Sequence, residues 1–576
     1  MFNLNSFSMP ANDKRVVKVN NRSGFDKSFR NSLTGKCGTL IPILVDEIIP
    51  DTKVNLKINL AASMPPLVSD TYMNVRLRVE AFAVPHRLCQ ANFEDYFTNY
   101  PGRYTDDAAD ATDFQERSGC MPLIRVCDSD GYLSSGESIV LQNGSLGDYM
   151  GLPKFADDFN FDVPIAPFVA YWLIWQEWYR NPRVQKPAFI KPDGNDVPSV
   201  FTGDNNYGFA CTIPYSNYYF DGDGKQKIYK VYEDSDTPIY EQYRLHNNKM
   251  IWELAQRNFG LDFFTAAMNE PQQGSMARVT IDGAGDDAGF TIASLRAQNS
   301  IQQFRERNQL TSPRYQQQIY ARYGCAPSDG VIQRPILIGA ATYDVYSHGV
   351  TSTAVSSTEI SPAQDHNSYF SGSVGSRAGN GFASGSDFII SNFHAKEPMY
   401  IIVLASLVPE VSYSQNMNFI WLRYKGLGSI SDMANGILQN VGPQPIYKGV
   451  IGMAESITEF YKIFAYTDRY SDWMFKPNEV HGEFKEYGSG TLSNFVLQRT
   501  FEDLPSFGSD FLTIPTSYLD SVLQFSSDIV NLTYWLDVVF DYKLSMPLQE
   551  YAIPSLQDPG YEHGHSIVLR KNGQLL

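Results

Sequence analysis

The sequence predicts a mainly β protein, in which one antiparallel sheet system is interrupted by long insertions that contain loops and several helices. Two observations lead to this fold class. Segments that alternate apolar and polar side chains, the period of a half-buried strand, occur near both ends of the chain. Between them lies a long stretch of loop-like and helical patterns. One sheet with large insertions explains why distant segments share the same strand pattern.

Five segments carry the strand signal. Alternation occurs at residues 53–60, 74–84 and 532–544, each with one apolar and one polar face. Residues 38–49 and 399–411 are apolar almost without interruption. A continuous apolar run of this length predicts a strand that is covered on both faces.

Three segments in the middle of the chain have helical spacing. Aromatic side chains recur every three or four residues after Pro167, a residue type that favours helix starts. They are Phe168, Trp172, Trp175, and Trp178 or Tyr179. Residues 292–309 and 314–323 are also predicted to be helical, with a break at Ser312-Pro313. We expect the aromatic stripe to be core rather than a ligand site.

The composition is rich in aromatic residues and poor in charge. The chain of 576 residues contains 35 Tyr, 36 Phe and 7 Trp, while charged residues make up 19%, below the usual ~25%. Large protein contacts favour aromatic residues and are depleted in Lys and Glu. We therefore expect much of the surface to be buried between subunits. A net charge of −17 argues against a protein that coats nucleic acid with its whole surface.

Basic residues are concentrated in the first 36 residues, which we interpret as an N-terminal arm. A short basic arm on an acidic body is suited to contact phosphate, although a solvated, frayed terminus would look the same. The candidate nucleic-acid-binding residues are Lys14, Arg15, Lys18, Arg22, Lys27 and Arg30.

The remaining chain divides into a main domain, residues 37–547, and a C-terminal tail, residues 548–576. Two excursions within the domain, residues 191–236 and 347–392, are rich in small and polar residues and lack aliphatic periodicity. Both are predicted to be exposed at the surface.

The sequence contains only weak signals for a metal, cofactor or catalytic site. Asp128, Asp130 and Glu137 match part of a calcium loop, but Val126 stands where the first aspartate belongs, so a turn is favoured. The motif Gly283-x-Gly285-x-x-Ala288 resembles a dinucleotide loop, yet it contains two acids that would repel a pyrophosphate. We expect no cofactor, no firm metal site and no enzymatic activity.

Two further signals bear on the compartment. His563 and His565 lack a visible third ligand and read as tail residues, and the six Cys include no C-x-x-C pair, which favours buried free thiols in a reducing compartment. The N-terminus does not resemble a secretory signal, and the longest apolar run, residues 399–409, is too short to cross a membrane. We expect a soluble chain made inside a cell.

A set of short motifs in a fixed order resembles one protein family. The segment Phe82-Ala-Val84-Pro85-His-Arg87-Leu88 is similar to the F-x-V-P-x-R-L motif of the major capsid protein of the Microviridae, the small icosahedral phages with single-stranded DNA, and the chain looks gokushovirus-like. Further matches occur at residues 22–26, 38–42, 45–50, 92–97, 148–153, 171–180, 262–267, 333–335, 473–477 and 546–547.

The resemblance implies an eight-stranded antiparallel jelly roll of the viral capsid type and a T = 1 icosahedral shell around a single-stranded DNA genome. It implies as partners other copies of the chain, an internal scaffolding protein, a small basic DNA-associated protein and a host-surface receptor. It also implies assembly in the bacterial cytoplasm, without membrane insertion.

One departure concerns the insertion that precedes the helix at residue 292 in relatives with a threefold protrusion. That insertion is short here, so we expect one or both excursions to form the outer projection. Two other classes stay open on the residues alone: a phage adhesin or tail component, and an acidic carbohydrate-active β protein.

Overall fold

The computed structural model describes most of the chain between Arg22 and Pro547. The described residues are 22–68, 71–72, 74–89, 123–126, 143–153, 161–164, 166–185, 218–220, 226–228, 244–245, 249–250, 254–272, 292–311, 314–325, 328, 333–351, 377–422, 443–468, 470–486, 492–523 and 532–547.

Strands are the main regular element. In chain order they are β1 (Ser23–Asp26), β2 (Phe29–Gly35), β3 (Ile41–Ile48), β4 (Lys53–Leu67), β5 (Val75–Pro85), β6 (Leu123–Val126), β7 (Phe161–Pro164), β8 (Tyr218–Phe220), β9 (Gln226–Ile228), β10 (Arg244–Leu245), β11 (Lys249–Met250), β12 (Ile336–Thr351), β13 (Arg377–His394), β14 (Met399–Pro409), β15 (Gln444–Tyr447), β16 (Ile463–Thr467) and β17 (Tyr534–Met546).

Helices are fewer and mostly short. They are α1 (His86–Cys89), α2 (Leu146–Tyr149), α3 (Ala166–Ile174), α4 (Ile292–Leu310), α5 (Tyr315–Tyr323), α6 (Lys448–Ile451), α7 (Ile457–Phe460), α8 (Ser471–Met474) and α9 (Ser509–Leu512). A π-helical turn, Trp175–Tyr179, continues α3. None of the described helices is both long and apolar enough to cross a membrane.

One curled antiparallel sheet organises the fold. Its order is β1-β17-β4-β13-β12-β5-β14-β3, and β2 pairs with β17 beside β1. β4 near the start of the chain pairs with β17 near its end, from Trp535↔Ser63 to Ser545↔Lys53. The predicted single sheet with large insertions is therefore confirmed, and the fold is a mainly β jelly-roll type. The expected count of eight strands is not confirmed, because nine strands of the described chain join this sheet.

The main core lies between the two halves of the curled sheet. On one half, β4 and β17 bury alternate residues, for example Leu56 and Phe540. On the other half, alternate residues of β5 and β14, for example Leu77 and Val403, belong to the same core. β12 connects the halves, since its first part pairs with β5 and its last part with β13. The alternating segments identified in the sequence thus supply the core.

Helix α3 covers the outer face of the half that contains β14. Phe82, Ile402 and Leu404 of the sheet form a second buried cluster with Phe168 and Trp172 of the helix. All eleven residues of β14 are consequently buried. The covered strand predicted at 399–411 and the core role of the aromatic stripe are confirmed. The strand predicted at 38–49 forms as β3 but is only partly covered, since Glu47 is exposed.

Two segments fold differently from their sequence pattern. Residues 23–35 of the basic arm form β1 and β2 on the edge of the sheet. The excursion at 347–392 begins in β12 and ends in β13, which pairs with β4 over most of its length. β13 lacks aliphatic periodicity because its inner face carries glycines: a Cβ on Gly385 would lie 2.1 Å from a ring carbon of Tyr343. Exposure of the rest of this excursion and of residues 191–236 stays a prediction.

Candidate subunit interface

Two groups of large apolar side chains lie exposed outside both cores. The helical patch consists of Leu295, Ile301, Phe304 and Leu310 on α4 with Tyr320 and Tyr323 on α5. The loop patch consists of Ile420, Trp421, Trp473, Met474 and Phe475. Monomeric proteins rarely expose apolar side chains in such groups, whereas contact surfaces between subunits do.

The helical patch stands mainly on α4, which bonds to the body through polar side chains. Gln309 and Gln302 of α4 bond with Asn269 and Gln272, and the remaining faces of the helix are largely exposed. The next helix is fixed at its start, since Arg314 forms an ion pair of 3.0 Å with Glu177 of the π-helical turn. Polar contacts thus attach both helices to the rest of the chain, while the apolar side chains of the helical patch stay exposed.

The loop patch borders a cavity of about 290 Å³. Its floor is aromatic: the rings of Phe263 and Phe264 lie 5.2 Å apart, and Phe263 contacts Phe419 at 5.5 Å. Trp473, Met474 and Phe475 line the rim and are 55–63% exposed. An apolar side chain of a neighbouring molecule would find apolar contacts on several sides of this cavity.

Charged groups flank the cavity on one side. Glu479 lies 2.9 Å from Lys476 Nζ and 3.3 Å from His481 Nε2. Burial alone would raise the pKa of Glu479, but hydrogen bonds from Lys476 and His481 outweigh it and hold the pKa below its usual value. The carboxylate therefore stays ionised at neutral pH. An apolar centre with a charged rim is the arrangement common in protein interfaces.

The described members of the basic arm are held by carboxylates along the edge of the sheet. Arg22 pairs with Asp51 and donates to the carbonyl of Ser545, while Lys27 Nζ lies 2.9 Å from Asp46. Arg30 makes two bonds of 2.7 Å to the carboxylate of Asp537. Hydrogen bonds from His394 and Arg22 lower the pKa of Asp51. The other candidates, Lys14, Arg15 and Lys18, lie outside the described residues.

Several candidates from the sequence cannot be compared with the fold. Asp128, Asp130 and Glu137, the Gly283–Ala288 motif, and His563 and His565 all lie outside the described residues. Among the residues that are described, no cluster of three His, Cys, Asp or Glu side chains could hold a metal ion.

The described cysteines only partly match expectation. Cys37 and Cys89 are buried free thiols, and burial raises the pKa of each. Cys325 is exposed, so the expectation of burial is wrong there. It follows the exposed turn at Gly324 that ends α5, which leaves it outside the core.

Sequence reasoning missed both patches as contact surfaces. The sequence indicates residues 473–477 only as a family motif and residues 292–309 only as a helix. One usable signal was present: α4 carries apolar residues without a single apolar stripe, among many polar ones. Such a helix cannot bury all of its apolar side chains against one surface of its own domain.

Comparison with known proteins identifies the family. Residues 15–556 match the family described as "Capsid protein (F protein)". The chain is 25% identical to capsid protein VP1 of Bdellovibrio phage phiMH2K, over 93% of this chain and 95% of that protein. It is 23% identical to capsid protein VP1 of Chlamydia phage 1, over 93% and 96%. For capsid protein VP1 of Spiroplasma virus 4 the identity is 22%, over 90% and 92%.

The ordered motifs, the jelly-roll type of sheet and the near full-length match agree with one another. The chain belongs to the phage capsid protein (F protein) family and is a structural major capsid protein of the Microviridae type.

Proposed function

We propose that the chain assembles with copies of itself into a T = 1 icosahedral shell that encloses a single-stranded DNA genome. The observation that carries this proposal is the pair of exposed apolar patches on a subunit whose sheet already has two complete cores. Burial of these patches by neighbouring copies would stabilise a closed shell. The proposal includes no enzymatic step.

Assembly is proposed to take place in the bacterial cytoplasm with two helper proteins, an internal scaffolding protein and a small basic DNA-associated protein. The charge of the chain supports the second helper. A net charge of −17 cannot neutralise packaged phosphate, so counter-charge must come from the basic partner, metal ions or polyamines. The N-terminal arm, with Lys14, Arg15 and Lys18, is proposed to face the genome.

Electron microscopy of the expressed chain, with and without a scaffolding partner, tests the assembly proposal. Uniform round particles that sediment far faster than a 64.8 kDa monomer are expected. A chain that stays monomeric with the partner present would overturn it. Trypsin provides a second test, because an arm that lies inside should resist cleavage in intact particles and be cleaved in free subunits.

Host attachment is proposed for the excursion at residues 191–236 and for residues 352–376, the part of the excursion at 347–392 that lies between β12 and β13. Their composition supports this role, since they are polar and rich in Gly, Ser, Asn and Tyr, as exposed recognition loops often are. A deletion of residues 205–235 should reduce attachment to host cells and leave the yield of particles nearly unchanged. Loss of particles with unchanged attachment of those that form would reverse the assignment.

A further inference from the structure

The half of the sheet that contains β4, β13 and β17 leaves one broad face open. Its inner side chains fill the main core, while the side chains of the opposite face point to solvent. The other half of the sheet has its outer face covered by α3. We call the uncovered surface the open face; it is formed by the outward residues of β2, β17, β4, β13 and the end of β12.

An aromatic row crosses one end of the open face. Trp535 pairs with Ser63, Ser63 with Phe382, and Phe382 with Tyr346, so the four residues occupy neighbouring strands at the same level. The three rings are 40–63% exposed. Neighbouring strands are separated by about 4.8 Å. One flat ligand can therefore stack on the ring of Phe382 while a second stacks on the ring of Tyr346.

Basic side chains occupy the other end. Lys57 pairs with Phe388, and its Nζ lies 5.5 Å from the centre of that ring. Lys53 stands four residues away on the same face of β4. In the described part of the chain neither lysine has a carboxylate within salt-bridge distance. Arg22, where the basic arm joins the described chain, is bonded to Ser545, the direct partner of Lys53.

The side chains in the middle of the open face are short and mostly polar. Ala61 and Ser384 pair with each other, and so do Asn59 and Ser386. Short side chains leave space above the sheet between the aromatic row and the lysines. Their hydroxyl and amide groups can donate to and accept from polar ligands.

We propose that the open face binds single-stranded DNA, with bases stacked on Trp535, Phe382 and Tyr346 and phosphates beside Lys53 and Lys57. Aromatic rings stack on bases of any sequence, and nearby cations hold the backbone, which is how proteins bind single strands without sequence preference. This inference rests on the proposed function, because it takes the enclosed genome to be the ligand.

The chemistry of the open face favours nucleic acid over a second copy of the chain. Lysine is depleted at contacts between proteins, yet Lys53 and Lys57 lie on the same face as the aromatic row and form no salt bridge within the described chain. Asp541, the cross-strand neighbour of Lys57, is bonded to Lys543 instead. Among the described residues of the open face, Val539 is an exposed aliphatic residue, whereas three of the six residues of the helical patch are aliphatic. A duplex is disfavoured as well, since its bases are already stacked on one another.

The test compares two probes on the purified full-length chain. One is a labelled oligothymidylate of ~20 nucleotides and the other an abasic strand of equal length, which has the phosphates without the bases. The double variant Phe382→Ser with Trp535→Ser, called the ladder variant, removes two rings of the aromatic row. Its matched control is Trp421→Ser with Trp473→Ser, which removes two exposed aromatic residues from the loop patch.

The ladder variant should bind oligothymidylate about a hundredfold more weakly, at about tenfold for each lost stack. Its affinity for the abasic strand should not change, and the control should match the parent. The variant Lys53→Gln with Lys57→Gln should bind both probes more weakly and lower the slope of log affinity against log salt by about 1.4. Should the ladder variant lose its cooperative melting, Tyr346→Ser replaces it, with an expected loss of about tenfold.

Equal binding of both probes by the parent, or equal losses in the ladder variant and the control, would overturn the inference. Particles are scored separately by electron microscopy. Loss of particles in the ladder variant with unchanged oligothymidylate binding would assign the open face to contacts between copies and also overturn it. A chain that prefers oligothymidylate yet never forms particles would leave the inference standing and overturn the proposed shell.

Discussion

Arg257 and Glu80 form a buried ion pair that ties the loop after residue 254 to the middle of β5. Arg257 Nη1 donates to Oε2 of Glu80 over 2.6 Å, and the hydroxyl of Tyr179 donates to the same oxygen over 2.6 Å. The guanidinium also stacks on the Tyr179 ring, 4.9 Å from its centre. Burial alone would raise the pKa of Glu80, but Arg257 and Tyr179 hold it below its usual value.

Removal of one member of this ion pair should lower the free energy of unfolding more than removal of both members. Arg257→Leu leaves the Glu80 carboxylate buried with one neutral donor, and the free energy of unfolding should fall by about 3–5 kcal/mol. The double variant Arg257→Leu/Glu80→Leu should recover part of that loss. Urea denaturation of free subunits measures both. A single variant as stable as the parent would show that the pair is not buried in solution.

Gly339 of β12 lies close to the backbone of β13. A Cβ at this position would lie 1.7 Å from the carbonyl oxygen of Ile389, so Gly339→Ala must push two backbones apart. We expect a loss of about 1–3 kcal/mol or more. Gly24→Ala on β1 is the matched control, because nothing lies within 4 Å of its added Cβ. Similar melting temperatures for the two variants would contradict the close packing.

His86 should make the subunit less stable in acid. Its side chain is 3% exposed, stacks on Tyr400 with ring centres 4.0 Å apart, and burial lowers its pKa to about 4. An unfolded histidine has a pKa of about 6.5, so the unfolded chain binds the extra proton between these values. The stability due to neutral His86 is fully present above about pH 6.5 and falls by about 1.4 kcal/mol per unit toward pH 4.

The variant His86→Phe keeps a ring against Tyr400 and removes the titration. Its stability should therefore vary less between pH 6.5 and pH 4 than that of the parent, as measured by denaturant unfolding at several pH values. Identical pH slopes for the two proteins would exclude His86 as the source.

The helical patch should matter for assembly more than for folding. Phe304→Glu places a charge on an apolar residue that is 51% exposed in the subunit, whereas Gln303→Glu adds the same charge one residue away. The free energy of unfolding of each variant should lie within about 0.5 kcal/mol of that of the parent. Phe304→Glu should lower the particle yield at least about tenfold, counted by electron microscopy, because a charge buried between subunits is costly. Equal particle yields for Phe304→Glu and Gln303→Glu would show that the helical patch is not part of the interface.

Much of the sheet could be predicted because its strands follow simple burial rules. β4 alternates Val54, Leu56 and Ile58 with polar residues, as a strand with one core face must. β14 is apolar throughout, as a strand between the core and α3 must be. These patterns depend on local sequence alone.

Other strands could not be predicted, because contacts with residues far away in the sequence determine where they form. β13 needs Gly381 and Gly385 where Met64 and Tyr343 approach its backbone, and glycines erase the apolar period. β2 is an edge strand whose Arg30 is matched by Asp537 from the far end of the chain. Charges on an edge strand prevent wrong pairing, but in the sequence they read as an arm. The exposed patches have the same origin, since their partners are proposed to lie on other molecules.

The central claim is that the exposed patches of this capsid subunit are contacts between copies in a T = 1 shell. A cryo-electron microscopy reconstruction of particles assembled from the full chain tests it most directly. The account predicts icosahedral symmetry with one chain per asymmetric unit, and side chains of neighbouring copies covering Phe304 and Trp473. Particles in which both residues stay exposed to solvent, or a chain that remains a monomer, would contradict it.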